Sequence, residues 1–482
     1  MCVDGMNLTQ RKELKSAKPI QYCILSLAPT VRYKSAYMLV QMLVPHSLKG
    51  QAAKKYYDHV AKEMNELHVD GVCGVKVKLY GVSMDSPGRR ELLNMQSVQA
   101  FYPCPHCFYS AQPGLRRQIF GGFRRYLPLH SPWRQRAFQY KGHMYEFRDA
   151  EVRPPPPFRT DEDVCLMVNL SKKNKKPFMG HKGEHLLSRW VGFDWESAMC
   201  DRMHDLKCFV EMILKCIVGR NASHGMYKSW NQDNKHRQDC RAFGIFEHFH
   251  KDETSTPPWR LSKDAVKLLD RRVRGMWWPH YMERLCRKHH SFWTHSYPMW
   301  KSKHKSYILL VLLPVCLHGF IPAVHNAILK IVHALRQLDG YVLSIFESLR
   351  RGVQPGCRVA EKDKVSRWGL MLVRGLVLLE GSFPVDHLNP ASHHLVHHAW
   401  QTAESGLLSW VAMWCFERNN KRIKTLVRNK GPHCESSLAG EYWRIFLIWT
   451  GLIFFSDCLI RLYLYTQVIS TEILYVENLR TC

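Results

Sequence analysis

Three residue groupings in this chain have types and spacings that chemistry could use. The first is "CDRMHD", residues 200 to 205, where Asp201 and His204 stand three apart just before an apolar run. Leu206, Phe209, Val210, Ile213, Leu214 and Ile217 recur at the interval of one helix face, which puts the pair at a helix N-terminus. An aspartate there can cap the helix, with the histidine as a satisfied neighbour. The same pair can also be aimed into an active site. The second grouping is "YPCPHCFY", in which Cys104 and Cys107 have zinc-knuckle spacing. One C-x-x-C is half a site, and a reduced pair in a turn fits equally well. The third is "HHLVHH", where His393 and His397 lie at i, i+4 and His394 and His398 repeat the spacing one residue on. That spacing can bind metal. With 27 histidines in the chain it also arises by chance, and a structural role is expected.

The elements that must position these residues are readable from period. "KPIQYCILSLA" and "AYMLVQMLVP" read as neighbouring strands, and "QAAKKYYDHVAKEMNEL" as a helix with an apolar stripe at Ala53, Tyr56, Tyr57, Val60 and Met64. In "VKVKLYGVSMD", Val75, Val77 and Leu79 alternate with Lys76, Lys78 and Tyr80, a strand pattern that ends at Asp85. Asp4 falls at the end of a possible strand cut to its last few residues. The order is strand, strand, strand, helix, strand, with an aspartate closing the first and the fourth. From 111 to 180 the pattern gives way to basic residues with interleaved aromatics, "RPPPPF" and "SKKNKKP", read as exposed connections or a DNA-contacting insertion. Beyond Asp201 the chain reads mostly helical.

Composition sets bounds. The chain has 482 residues, 46% hydrophobic, enough for two or three domains with proper cores. Its net charge is +28, from 69 Lys+Arg against 41 Asp+Glu, and nucleic acid is the simplest polyanionic partner for such an excess. An odd 17 cysteines in irregular spacing argue for reduced thiols. The N-terminus carries no apolar stretch of the secretory kind. "YILLVLLPVCLHGFI" and "IFLIWTGLIFFSDCLIRLYLY" are broken by proline or charge, so buried helices rather than membrane spans are expected.

Together, "VDGMNLTQRK…LAPTVRYKSAYMLVQMLVP", "YGVSMDSPGRRELLNMQSVQAFYPCPHC" and "GHKGEHLLSRWVGFDWESAMCDRMHDL" resemble successive blocks of the CACTA (En/Spm-like) DNA transposases. "HHLVHHAWQTAESGLLSWVAMWCFERNNKRIKTLVRN" is similar to the histidine-rich helical domain that follows such cores. The resemblance implies an RNase H-like mixed-sheet core, α/β with a mostly helical C-terminal half. It divides the chain into a first core segment (1–110), a basic, proline-rich insertion or linker (111–180), a second core segment (181–330) and a helical C-terminal domain (331–482). It further implies phosphoryl transfer assisted by Mg²⁺ or Mn²⁺, with Asp4 and Asp85 as ligands and Asp201 and His204 flanking the same catalytic site. Zn²⁺ at Cys104 and Cys107, duplex DNA ends as partner, self-association, no membrane and a nuclear location complete the expectation.

The third carboxylate of that family does not align. Where the family has a glutamate before a tryptophan, this chain has Met299, which is a poor ligand for hard cations. Glu283, Glu404 and Glu417 are the other candidates. This departure, and the start of the chain three residues before Asp4, suggest a decayed or domesticated copy with little or no cleavage. A DNA-binding protein without catalysis is the alternative. "ERNNKRIKTLVRNK" reads as a basic amphipathic helix suited to DNA-backbone contact.

Overall fold

Alternation at residues 16–45 becomes an antiparallel ribbon in the computed structural model: β3 (Ser16–Cys23) pairs with β4 (Met38–Pro45), from Ala17↔Pro45 to Cys23↔Met38. Two short strands, β1 (Cys2–Val3) and β2 (Met6–Asn7), pair antiparallel with β3 in one register, Cys2↔Gln21 and Met6↔Ala17. The structure describes residues 1–3, 6–7, 16–24, 38–45, 48, 50–71, 75–109, 111–113, 118–119, 123, 138–140, 143–145, 158–218, 259–276, 293, 302–350, 358–383, 388–405 and 413–425. The chain is mixed α/β and mostly helical. It divides into two compact units, each assembled from distant segments: Met1–Leu92 with His185–Ser197 and Met413–Cys482, and Leu93–Glu184 with Ala198–Ala412.

In the first unit, helix α1 (Gly50–Val69) follows β4 and buries Ala53, Tyr57, Val60, Ala61 and Met64, largely the stripe its period marks. They pack with Ile20, Val44, Leu79, Val82, Leu187 and Trp190. Each such buried aliphatic or aromatic side chain contributes roughly 1.5–3 kcal/mol. Strand β5 (Val82–Ser83) then pairs parallel with β1, Cys2 opposite Ser83. The expected strand over 75–80 is not one. The Val77 amide donates to Leu67 O at 3.1 Å and Val77 O lies 3.0 Å from His68 Nδ1, so this stretch is tied to the end of α1 instead of a sheet. Among the described residues of this stretch, Ser83 is the one paired with β1, opposite Cys2. Helix α2 (Ser86–Leu92) follows at once.

The second unit is helical. Within the stretch read as an exposed connection, Asp161–Asn174 forms helix α3, started by a capping box between Thr160 and Asp163 and stopped by Lys175 at φ 50. Local capping outweighs the basic composition that suggested a linker. Helices α4 (Arg202–Val218), α5 (Lys263–Gly275), α6 (Pro322–Arg350), α7 (Arg358–Glu380) and α8 (Pro390–Ser405) surround one apolar core. The first membrane-like stretch lies in that core, where Ile308–Leu312 makes a π-helical turn and Leu309, Leu312 and Leu313 are fully buried. No helix among the described residues is long and apolar enough to cross a membrane. The second apolar stretch lies outside them.

Candidate metal centre

Helix α8 begins at Pro390, whose missing amide costs nothing at a first turn, after Asn389. The Asn389 Oδ1 accepts from the Ser392 amide at 3.1 Å, and its Nδ2 donates to Cys208 O of α4 at 3.2 Å. The cap therefore fixes both the start of α8 and its rotation against α4. Four histidines follow within two turns, all buried: His393, His394, His397 and His398. Two i, i+4 pairs offset by one residue are turned about 100° from each other on a helix. They meet different partners.

His393 and His397 meet the cysteine turn. The Cys104 Sγ lies 3.2 Å from His397 Nε2, Cys107 Sγ 3.4 Å from His393 Nε2, and the two Nε2 atoms 3.1 Å apart. All four donor atoms lie within 4.8 Å of one another. A tetrahedral zinc with ordinary Zn–S and Zn–N bonds has ligand–ligand edges of about 3.3–3.8 Å. The donor set, two thiols and two imidazoles, is the one borderline-soft divalent ions take. The turn itself is shaped for thiolates. The His106 amide donates to Cys104 Sγ at 3.3 Å, and the Tyr109 amide does the same at Cys107.

Protonation is also suited to a metal. Burial opposes ionisation of both thiols. A hydrogen bond from Cys107 and the neighbouring His397 and His393 nevertheless hold Cys104 well below the ordinary thiol range. Burial and that same neighbour push Cys107 up. Burial pushes His393 down to about 4, leaving a neutral ring with a lone pair to give. Apolar rings close the surroundings: Tyr109 stacks on His393 at 4.0 Å between centroids, and Phe158 stacks on Trp400 at 3.7 Å while its edge meets His397. The buried guanidinium of Arg159 donates to Cys107 O at 3.1 Å and bonds His181 Nε2 at 2.8 Å, tying the turn to the segment after it.

His394 and His398 meet Asp205 on the first turn of α4. His394 Nδ1 is 2.9 Å from Oδ1, and His398 Nε2 is 3.1 Å from Oδ2. Burial opposes the charge, but the two imidazoles outweigh it and hold the Asp205 carboxyl well below the usual carboxylate range. Sequence reasoning passed over Asp205. The second i, i+4 pair was the signal that could have found it, since four buried histidines on one helix need more than one set of partners.

The D-x-x-H pair is a cap and its neighbour. Asp201 is fully buried, its Oδ1 accepts the Met203 amide at 3.1 Å and its Oδ2 pairs with His204 Nδ1. Asp201 orients His204, whose side chain is 21% exposed. Asp201→Ala should cost about 1–2 kcal/mol, the worth of a buried cap, read as a lowered thermal midpoint. Asp201→Asn, which keeps the acceptor for Met203, should cost less. Equal losses for both would show that the charge on His204, not the cap, sets the cost.

Asp85 belongs to the first unit. It caps α2, its Oδ1 accepting the Gly88 amide at 2.8 Å, and remains partly exposed. Asp4, Met299 and Glu283 lie outside the described residues. Glu417, by contrast, is on helix α9 (Trp414–Thr425) of the first unit. That helix is held against β3 by Gln21, whose Nε2 donates to Asn420 Oδ1 at 2.7 Å and whose Oε1 accepts from Asn419 at 2.8 Å. Gln21 is the cross-strand partner of Cys2. No protein-family model, curated protein or solved structure matches this chain.

Proposed function

We propose that the protein is a transposase-like protein of CACTA type that binds DNA and cleaves it with divalent metal, with an RNase H-like first unit and a zinc-stapled helical second unit. The observation that carries this reading is the parallel pairing of Cys2 with Ser83 inside the order β4–β3–β1–β5. Asp4 and Asp85 each stand two residues beyond that pair in sequence. Carboxylates following neighbouring parallel strands are what divalent-metal phosphoryl transfer needs, because hard cations take oxygen ligands. Asp85 can supply one such ligand while its other oxygen caps α2. Bound there, Mg²⁺ or Mn²⁺ would lower the cost of charge on the attacking and leaving oxygens.

Glu417 supplies the third carboxylate in this reading, in place of the position held by Met299. It lies one turn before Asn420, which Gln21 holds against β3. The basic excess supplies DNA affinity. On α5 the exposed side chains Lys263, Lys267, Arg271 and Arg274 fall on one face, opposite the buried Val266, Leu269 and Val273. On α9, Arg418, Lys421 and Lys424 are exposed opposite the buried Ile423.

Binding to a generic DNA duplex, followed by fluorescence anisotropy, should weaken at least about tenfold between 50 and 200 mM salt, because phosphate contacts release counterions. The double substitution Lys267→Glu, Arg271→Glu should weaken binding and flatten the salt slope. No binding at low salt, or a flat slope, would remove both the catalytic reading and its alternative, a DNA-binding protein without catalysis.

A further inference from the structure

The structure assigns a second buried metal site to the second unit: Cys200, Asp205 and His398 hold a divalent ion of the zinc class, with His394 orienting the carboxylate. The three ligand atoms lie within 4.8 Å of one another and all three residues are buried. They come from three elements that other contacts already lock together. Cys200 ends the two-residue strand Ala198–Met199 and Asp205 sits on the first turn of α4. His398 comes from α8. Gln401, one turn beyond His398, accepts the Cys200 amide at 2.8 Å and donates to Ala198 O at 3.2 Å. The backbone on either side of the thiol is thus clamped to the helix that carries the histidine.

Charge and donor type favour an ion over a purely hydrogen-bonded cluster. A dication away from water needs anionic ligands, and a Cys200 thiolate with the Asp205 carboxylate gives a neutral set. His398 Nε2 lies 3.1 Å from Asp205 Oδ2, which places imidazole and carboxylate side by side as two ligands of one ion. His394 Nδ1, 2.9 Å from the second carboxylate oxygen, is placed as the outer partner that ligating carboxylates require. The ion would bind thiolate, carboxylate and imidazole together, which excludes Mg²⁺ and Ca²⁺ and selects Zn²⁺ or a neighbour in the transition series.

This inference is independent of the DNA reading, and metal counting tests it. Full-length protein purified from zinc-supplemented culture should hold two zinc ions per chain by elemental analysis and native mass spectrometry. Zinc absorption spectroscopy on the unmodified protein should give about 1.5 sulfur ligands per zinc, the mean of a two-cysteine and a one-cysteine site. Cys200→Ser and Asp205→Asn should each remove one ion and leave a site with two sulfurs. One zinc per chain with two sulfurs, or two with two sulfurs each, would overturn the proposal, and so would zinc-free protein. The measurement on the unmodified chain decides the matter if a variant fails to fold.

Discussion

Loss of a zinc ion bound by Cys104, Cys107, His393 and His397, as proposed, should unfold the helical unit. Structural zinc sites contribute on the order of 10 kcal/mol where ligands come from an otherwise marginal domain. Here the ion would join segments 286 residues apart in sequence, which is where a cross-link restricts the unfolded chain most. A chelator strong enough to strip zinc is therefore expected to abolish the cooperative thermal transition of the second unit and to expose Trp259 and Trp293, both buried in its core. His397→Ala should act in the same direction and cost at least several kcal/mol, because it also leaves the Cys104 thiolate buried without its imidazole. Tryptophan fluorescence during chelation and re-addition of zinc reads both. A fold indifferent to chelator in protein shown to start with zinc would deny the ion its structural role.

The second large effect concerns the first unit. With Mn²⁺ and supercoiled plasmid, the unmodified chain should nick DNA, and Asp85→Ala should lower the rate at least about a hundredfold, since a displaced metal ligand ruins attack geometry. Glu417→Gln should do the same while leaving DNA affinity and thermal midpoint in place. Glu404→Gln, on α8 of the other unit, should change nothing. If instead the unmodified chain is inert and Met299→Glu restores nicking, the carboxylate belongs at 299, as the family alignment places it. Asp85-independent nicking would point to a contaminating nuclease. No nicking by any of these proteins, with binding intact, would leave the non-catalytic reading.

How much of this was legible in the sequence depends on how local the signal is. The ribbon at 16–23 and 38–45, helix α1 and helix α4 were readable because each carries its own period over at least eight residues. Strand β5 was misjudged in extent, since Val75, Val77 and Leu79 alternate as a strand does, but Val77 gives its amide and carbonyl to the end of α1. No sequence rule reports that competition. Both halves of the metal centre were visible as spacings, C-x-x-C and H-x-x-x-H, yet neither names its partner. Pairing is decided by which helix face the Asn389 cap turns toward the knuckle, a tertiary fact. Asp205 was hidden for a different reason. It sits beside the more conspicuous Asp201 and His204, and its partners lie about two hundred residues further on, at |i−j| of 189 and 193. The helix after 160 was masked by composition: lysines and prolines nearby suggested a linker, while the Thr160 and Asp163 box started a helix.

If Asp85 joins Asp4 and Glu417 as ligands of catalytic metal, as proposed, anomalous diffraction from crystals soaked in Mn²⁺ should show it. A manganese peak is expected within bonding distance of Asp85, about 2.0–2.3 Å as hard divalent ions bind oxygen, with Asp4 and Glu417 completing its ligands and the peak lost in Asp85→Ala crystals. Manganese absent from Asp85, or bound there with Asp4 and Glu417 both remote, would contradict it.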